Sequence, residues 1–258
     1  MMLDKKVAVV TGGSGGIGGE ICREFLKEGA RVALCDLDPA LAQQAAGATG
    51  AEPERIRGWG FDVGDLQDVE RAADEIAAYF GEIDIWVNSA GVSFVRPFLE
   101  CDPGLWEKTI RVNLTGTFNG CRAAIRHMLP SGRGVVLNMS SQSGKQGNSH
   151  YAAYCASKFG VIGLTQSLAM EFAERNIRVN ALCPGVVFTG LWEEMLPDYA
   201  AKQGLRKEEV RAYLERKIPM RRLCTENDVA RAAVFLAGDD ASYITGQSIN
   251  LSGGLVMH

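Results

Sequence analysis

The sequence predicts a doubly wound α/β fold: a parallel seven-stranded sheet with helices on both faces and a small helical lid insertion. Three observations carry that prediction. Short apolar runs alternate with helical stretches along all 258 residues. Many runs are apolar at consecutive positions, as expected of strands covered on both faces. A glycine-rich turn, TGGSGGIGG, joins the first run to the first helical stretch, near the carboxyl edge where such sheets bind ligands.

Strands are expected at 7–11 (VAVVT), 32–36 (VALCD), 56–62 (IRGWGFD) and 83–88 (IDIWVN). Three more follow at 134–140 (GVVLNMS), 177–183 (IRVNALC) and 247–251 (QSINL). Helices fill the gaps at 16–29, 39–46, 66–80, 104–130, 151–174 and 226–237, which implies right-handed crossovers between parallel strands. Thr225 with Asp228 resembles a capping box opening the last of these, which ends near Gly238. Residues 189–223 break the alternation with two charged, amphipathic pieces between the sixth and seventh strands. An insertion at the carboxyl end of a strand reads as a substrate lid. An oligomer contact or a solvated face is the alternative.

The chain reads as one domain over 1–258, without repeat or linker. A composition of 47% hydrophobic and 22% charged residues supports one sizeable core. A net charge of −4 gives no reason to expect nucleic acid or an anionic membrane as a partner. No apolar run approaches the ~18 residues of a membrane span. The N-terminus, MMLDKKVAVVT, lacks signal-peptide features. Seven cysteines without C-x-x-C spacing read as reduced thiols of a cytoplasmic protein. The three histidines are unclustered, so no metal site is expected.

The glycine turn allows two registers. Gly13, Gly15 and Gly18 spell G-x-G-x-x-G; Gly12, Gly16 and Gly18 spell T-G-x-x-x-G-x-G. Either brings backbone close to a pyrophosphate at a helix N-terminus. Asp36 ends the second strand, where a carboxylate accepts ribose hydroxyls and repels a 2′-phosphate. NAD is therefore expected over NADP. Asp62, with the Val63 N–H, either meets the adenine edge or caps the following helix.

Tyr154 and Lys158 lie at i, i+4 on one helix face. A neighbouring ammonium lowers a phenol's pKa, which suits Tyr154 to proton exchange with an alcohol or a carbonyl. Ser141 emerges at the carboxyl end of the fifth strand, placed to bond the reacting oxygen or to serve only as a turn serine. Asn113 is polar in an apolar stretch and needs partners; a helix kink holding a water supplies one. After Ser141 come Gln142, Ser143, Lys145, Asn148 and His150, a set of candidate substrate groups. Phe94, Phe188 and Trp192 are a candidate apolar wall. Lys145, with Arg221 or Arg222, either meets a substrate phosphate or is an exposed loop lysine.

TGGSGGIG, Asp36, FDV, NSAG, RVN, Ser141, YCASK and PGVVFT occur in an order that resembles the short-chain dehydrogenase/reductase family in its ~250-residue form. SGKQGNSHYAAYCASKFG, LPDYAAKQGL and SYITGQSINLSGGLVM resemble its polyol dehydrogenases, sorbitol-6-phosphate 2-dehydrogenases among them. The resemblance implies a Rossmann-type fold and selects the Gly12, Gly16, Gly18 register, leaving Gly13 and Gly15 incidental. It implies Tyr154 as acid/base, Ser141 as the group polarising the substrate oxygen and Lys158 as the partner of the nicotinamide ribose. Asn113 would anchor a water in a proton relay. Pro184, Gly185, Val187 and Thr189 would seat the nicotinamide. Further cofactor contacts are implied at Ser14, Ile17, Leu37, Asn88, Ala90 and Gly91. Ser89 stands where the family usually has Asn, which weakens the sheet tie expected there. The implied reaction is NAD-linked oxidation of a secondary alcohol on a polyol or polyol phosphate. A 3-oxoacyl-thioester reductase or another secondary-alcohol dehydrogenase is the alternative. A homotetramer is implied, with helices 104–130 and 151–174 at one interface.

Overall fold

A computed structural model describes residues 1–258. Seven parallel strands form one sheet: β1 (Val7–Thr11), β2 (Arg31–Asp36), β3 (Ile56–Gly60), β4 (Ile85–Asn88), β5 (Gly134–Met139), β6 (Ile177–Pro184) and β7 (Ser248–Leu251). Their order is β3-β2-β1-β4-β5-β6-β7. The order reverses between β1 and β4, which opens a crevice at their carboxyl ends. The helices are α1 (Gly16–Lys27), α2 (Pro39–Ala48), α3 (Leu66–Phe80), α4 (Pro103–Ile110), α5 (Gly116–Met128), α6 (Ala152–Phe172), α7 (Gly190–Gln203), α8 (Lys207–Lys217) and α9 (Glu226–Ala237).

The consecutive apolar residues of each strand serve two cores. Along β1, Ala8 and Val10 pack with Ile21 and Phe25 of α1 and Val229 and Ala233 of α9. Val7 and Val9 join Val69 and Ile76 of α3 and Ile125 and Met128 of α5 on the opposite face. Each fully buried aliphatic side chain contributes roughly 1.5–3 kcal/mol. The expected capping box is present: Thr225 N–H donates to Asp228 Oδ2 at 2.9 Å and Asp228 N–H to Thr225 Oγ1 at 3.1 Å. No helix is long and apolar enough to cross a membrane.

Two expectations need correction. The helix expected over 104–130 is broken by a π turn at Arg111–Thr115, between α4 and α5. Asn113 sits in that turn, fully buried. The sheet tie doubted at Ser89 runs instead through its neighbour. Asn88 donates to Asn138 Oδ1 at 2.8 Å and accepts from the Trp86 indole at 2.8 Å. Asn138 in turn donates to Thr165 of α6 at 3.0 Å. This buried chain joins β4, β5 and α6. Each polar group in it has a partner, which is what makes such a chain tolerable in a core.

The insertion after β6 contains α7 and α8. It has its own apolar cluster, with Met195, Tyr199, Val210 and Leu214 packed on Val95, Tyr151 and Val186. The chain returns to the sheet edge where Cys224 N–H donates to the Val186 carbonyl at 3.1 Å.

Candidate active site

A cleft of about 1070 Å³ runs along the carboxyl edge of the sheet, from the glycine loop to the inserted helices. At one end, Gly12, Gly15, Gly16, Ile17 and Gly18 line it. Gly12 has φ +67°, and a Cβ there would lie 2.9 Å from the Ala90 backbone. Gly18 packs so closely on the Gly12 carbonyl that a side chain would strike it. The first turn of α1 therefore rests on the loop, and its backbone stays open to a ligand. Gly13 lies off the cleft but is not incidental: a Cβ would meet the Leu34 side chain at 2.7 Å. Gly15 has open space around it.

Thr11 fastens this loop to the one after β4. Its Oγ1 accepts from Ser89 N–H at 3.0 Å and from Ala90 N–H at 3.2 Å. Ala90 and Gly91 line the cleft, whereas Asn88 lies in the sheet among the partners described above. The Asn88 side chain thus has a structural role, in the chain that joins β4 to β5. Ser14 also stands off the cleft, and its buried Oγ has no partner.

Asp36 and Leu37 line the same end. The Asp36 carboxylate accepts from Leu37 N–H at 2.8 Å and from Ser14 N–H at 3.1 Å, so it is held in place by backbone. Asp62 and Val63 face the cleft as well. Asp62 accepts from Gly64 N–H at 2.8 Å and pairs with the Arg111 guanidinium. It is not the helix cap, because Asp65 caps α3 by accepting from Gln67 N–H at 2.9 Å. The Arg111 partner was not legible in the sequence, being 49 residues away.

At the centre stand Ser141, Tyr154 and Lys158, all lining the cleft. Ser141 ends the loop after β5, and its Oγ accepts from Ser143 N–H at 3.1 Å. Ser140 beside it donates to the Lys158 carbonyl at 2.9 Å and so locks α6 to the strand end. Lys158 is buried; its Nζ donates to the Met139 carbonyl at 2.8 Å and lies 5.6 Å from the centre of the Tyr154 ring. Burial pushes the Lys158 ammonium down to about 8. Burial also pushes the Tyr154 phenol above its ordinary value, partly opposed by the nearby Ser141 hydroxyl. Desolvation thus disfavours the charged form of both groups, and the group that lowers the phenol here is Ser141 rather than Lys158.

Asn113 lies behind this group. Its amide donates to the Val92 carbonyl at 2.9 Å and to Ser157 Oγ at 3.1 Å, and its Oδ1 accepts from Val92 N–H at 2.8 Å. Protein groups, rather than a water alone, satisfy it. Pro184, Gly185, Val187 and Thr189 line the wall leading to the insertion.

The far end divides the predicted substrate residues. Gln142, Ser143, Asn148 and Trp192 line it. Lys145, His150, Phe94 and Phe188 do not. His150 and Phe94 border a separate small cavity, and the Phe188 ring stacks on Trp192 at 5.3 Å from outside. Arg221 donates to the Arg216 carbonyl, and Arg222 pairs with Asp228. Ser93, Glu194, Tyr199 and Lys217 line this end without having been expected. Ser93 was within reach, two residues beyond Gly91. The others depend on how the inserted helices fold back.

Comparison with known proteins agrees with this geometry. The chain is 41% identical over 252 residues to the D-threitol dehydrogenase of Mycolicibacterium smegmatis, covering 98% of this chain and 93% of that protein. The sorbitol-6-phosphate 2-dehydrogenase of Erwinia amylovora superposes with a TM-score of 0.94 at 37% identity, covering 97% of this chain and all of that one. Actinorhodin polyketide ketoreductase, solved with NADPH, superposes at 0.92 with 33% identity and 97% of each chain covered. The family model for short chain dehydrogenases matches residues 6–200. With that match and the glycine loop, Ser141, Tyr154 and Lys158 on one cleft, the chain belongs to the short chain dehydrogenase family, nicotinamide-dependent oxidoreductases acting on CH–OH groups.

Proposed function

We propose that this protein is an NAD-dependent oxidoreductase that interconverts a secondary alcohol of a polyol or polyol phosphate with its ketone. The observation that carries the reading is the single cleft joining the glycine cradle and Asp36 to Ser141, Tyr154 and Lys158. Relatives named for D-threitol and sorbitol-6-phosphate support the substrate class.

The residues fit a dinucleotide: Gly12 and Gly18 let the loop fold tightly against Ala90 and the first turn of α1, and Gly15, open all round, leaves bare backbone on the cleft beside the helix N-terminus. A bound nicotinamide dinucleotide supplies the acceptor or donor of the hydride. Tyr154 takes the proton of the alcohol oxygen in oxidation and returns it in reduction. Ser141 Oγ, held by Ser143 N–H, orients that oxygen. Lys158 spends one N–H on Met139 and keeps the others for the ribose and for stabilising the phenolate. Asn113 is a positioning residue that clamps Val92 and Ser157. Helices α7 and α8 act as a lid over the substrate end.

NAD is favoured by Asp36, whose carboxylate pairs with no cation. Arg111, a basic residue on the same cleft, is committed to Asp62. A homotetramer accords with exposed Phe118, Phe159 and Met170 on α5 and α6. Seven free thiols accord with a reducing cytoplasm. The test is NADH absorbance with polyols, their phosphates and aliphatic alcohols, each with NAD and NADP. Turnover on polyols with NAD is expected, and Asp36→Ala should reduce the NAD preference about tenfold. Equal rates with both cofactors in the unaltered protein would remove the NAD assignment, and inactivity on every polyol the substrate class.

A further inference from the structure

Two buried polar atoms at the substrate end have no partner. Ser93 is 3% exposed and lines the cleft, yet its Oγ makes no hydrogen bond. Oε1 of Gln142, also on the cleft, is buried and unpaired. Leaving such atoms unpaired is costly, so they point to a ligand that supplies the missing partners.

Their neighbours place both close to the reacting centre. Ser93 follows Val92, whose N–H and C=O are both gripped by Asn113 at 2.8 and 2.9 Å. Gln142 follows Ser141 directly, in the turn that Ser141 caps. A serine hydroxyl donates and accepts, and an amide carbonyl accepts. Both therefore suit a hydroxyl, and neither offers charge to a phosphate.

The charged groups agree. Arg221 and Arg222 are bonded elsewhere, and Lys145 and His150 stand off the cleft. Lys108 and Lys217 do line the cleft, but each ammonium lies over an aromatic ring, Lys108 5.6 Å from the centre of Phe94 and Lys217 4.4 Å from that of Tyr213. Glu194 and Lys217, from the inserted helices, bring opposite charges to this end.

We propose that Ser93 and Gln142 bind a second hydroxyl of the substrate, which makes an uncharged polyol the preferred substrate. This rests on the polyol reading above and narrows it to the unphosphorylated class.

The experiment measures kcat/KM for tetritols and hexitols, their monophosphates and butan-2-ol, in the unaltered protein, Ser93→Ala and Gln142→Leu. An unphosphorylated polyol should exceed its phosphate ester at least about tenfold. Each variant should lower the ratio of polyol to butan-2-ol kcat/KM by about tenfold, the loss of one useful hydrogen bond. Ser93→Cys, which keeps the size and weakens the bond, gives the same reading if Ser93→Ala does not fold. Preference for a phosphate ester, or a ratio that holds in both variants, overturns the inference and leaves the polyol dehydrogenase reading standing. A weaker NADH affinity that accounts for the whole loss in Gln142→Leu moves that residue to the cofactor and overturns its part. Inactivity on every polyol overturns both readings.

Discussion

The two ends of the cleft are built from different materials. The glycine end is mostly backbone, set at strand termini and supported by two cores that fill both faces of the sheet. The substrate end is mostly side chain, drawn from the loops after β4 and β5 and from an insertion with a smaller apolar cluster of its own. Backbone position at the first end follows from the sheet order, so little freedom remains there. Side chains at the second end can change without disturbing the sheet. On the proposed function, chemistry and specificity are thereby separated along one groove, with Ser141, Tyr154 and Lys158 at the junction.

The junction should show the largest effect. Tyr154→Phe removes one hydroxyl and keeps the packing. Its kcat should fall about 10²–10⁴-fold, the range for losing a general acid/base, while NADH affinity persists. A variant that retained the full rate would move proton transfer to another group. Because burial holds the phenol above its ordinary value, its proton-accepting form grows as pH rises. Alcohol oxidation should therefore accelerate toward alkaline pH, and ketone reduction, which needs the phenol, should slow. Opposed pH profiles in the two directions check the sign.

A change in the insertion should act on substrate alone. Trp192 lines the cleft and packs edge-on to Tyr199 at 5.1 Å, besides stacking on Phe188. Trp192→Ala should raise the substrate KM about tenfold, as lost apolar contact in a pocket does, with little change in NADH affinity. Equal losses in both would mean that the two ends are coupled and would break the contrast.

The same contrast explains what was legible in the sequence. Strand positions came from local pattern, since consecutive apolar residues are set within a few residues, whereas the glycine spacing allowed two registers and the family resemblance chose between them. Tyr154 and Lys158 were legible because four residues make one helical turn. A kink at Asn113 was legible from a polar residue in an apolar stretch, but its partners Val92 and Ser157 were not, because they lie far away in the chain. The side-chain partner of Asn88 was hidden for a similar reason: Asn138 is 50 residues distant. At the substrate end, Lys145 and His150 were polar and near Ser141 in sequence, but the loop turns them off the cleft. Ser93 and Lys217 reach it from separate elements. Motif spacing reports one loop at a time and has no information on such meetings.

The smallest expected effect concerns the seam between the two regions. Where the insertion returns, Arg222 pairs with Asp228 of the α9 capping box. The Arg222 hydrogen bond, with the Thr225 N–H and hydroxyl, holds the Asp228 carboxyl down to about 2. A depressed carboxyl contributes stability that is complete above its unfolded value near 4 and is lost as pH falls through about 2. The pair is largely solvent-exposed, so Arg222→Met should cost less than about 1 kcal/mol at neutral pH. The difference in Tm between the two proteins should close as pH falls from about 4 to about 2. A gap that stayed constant over that range would assign the loss to packing of the arginine stem at the seam, and the insertion would then be fastened to the sheet by apolar contact and the Cys224–Val186 bond rather than by charge.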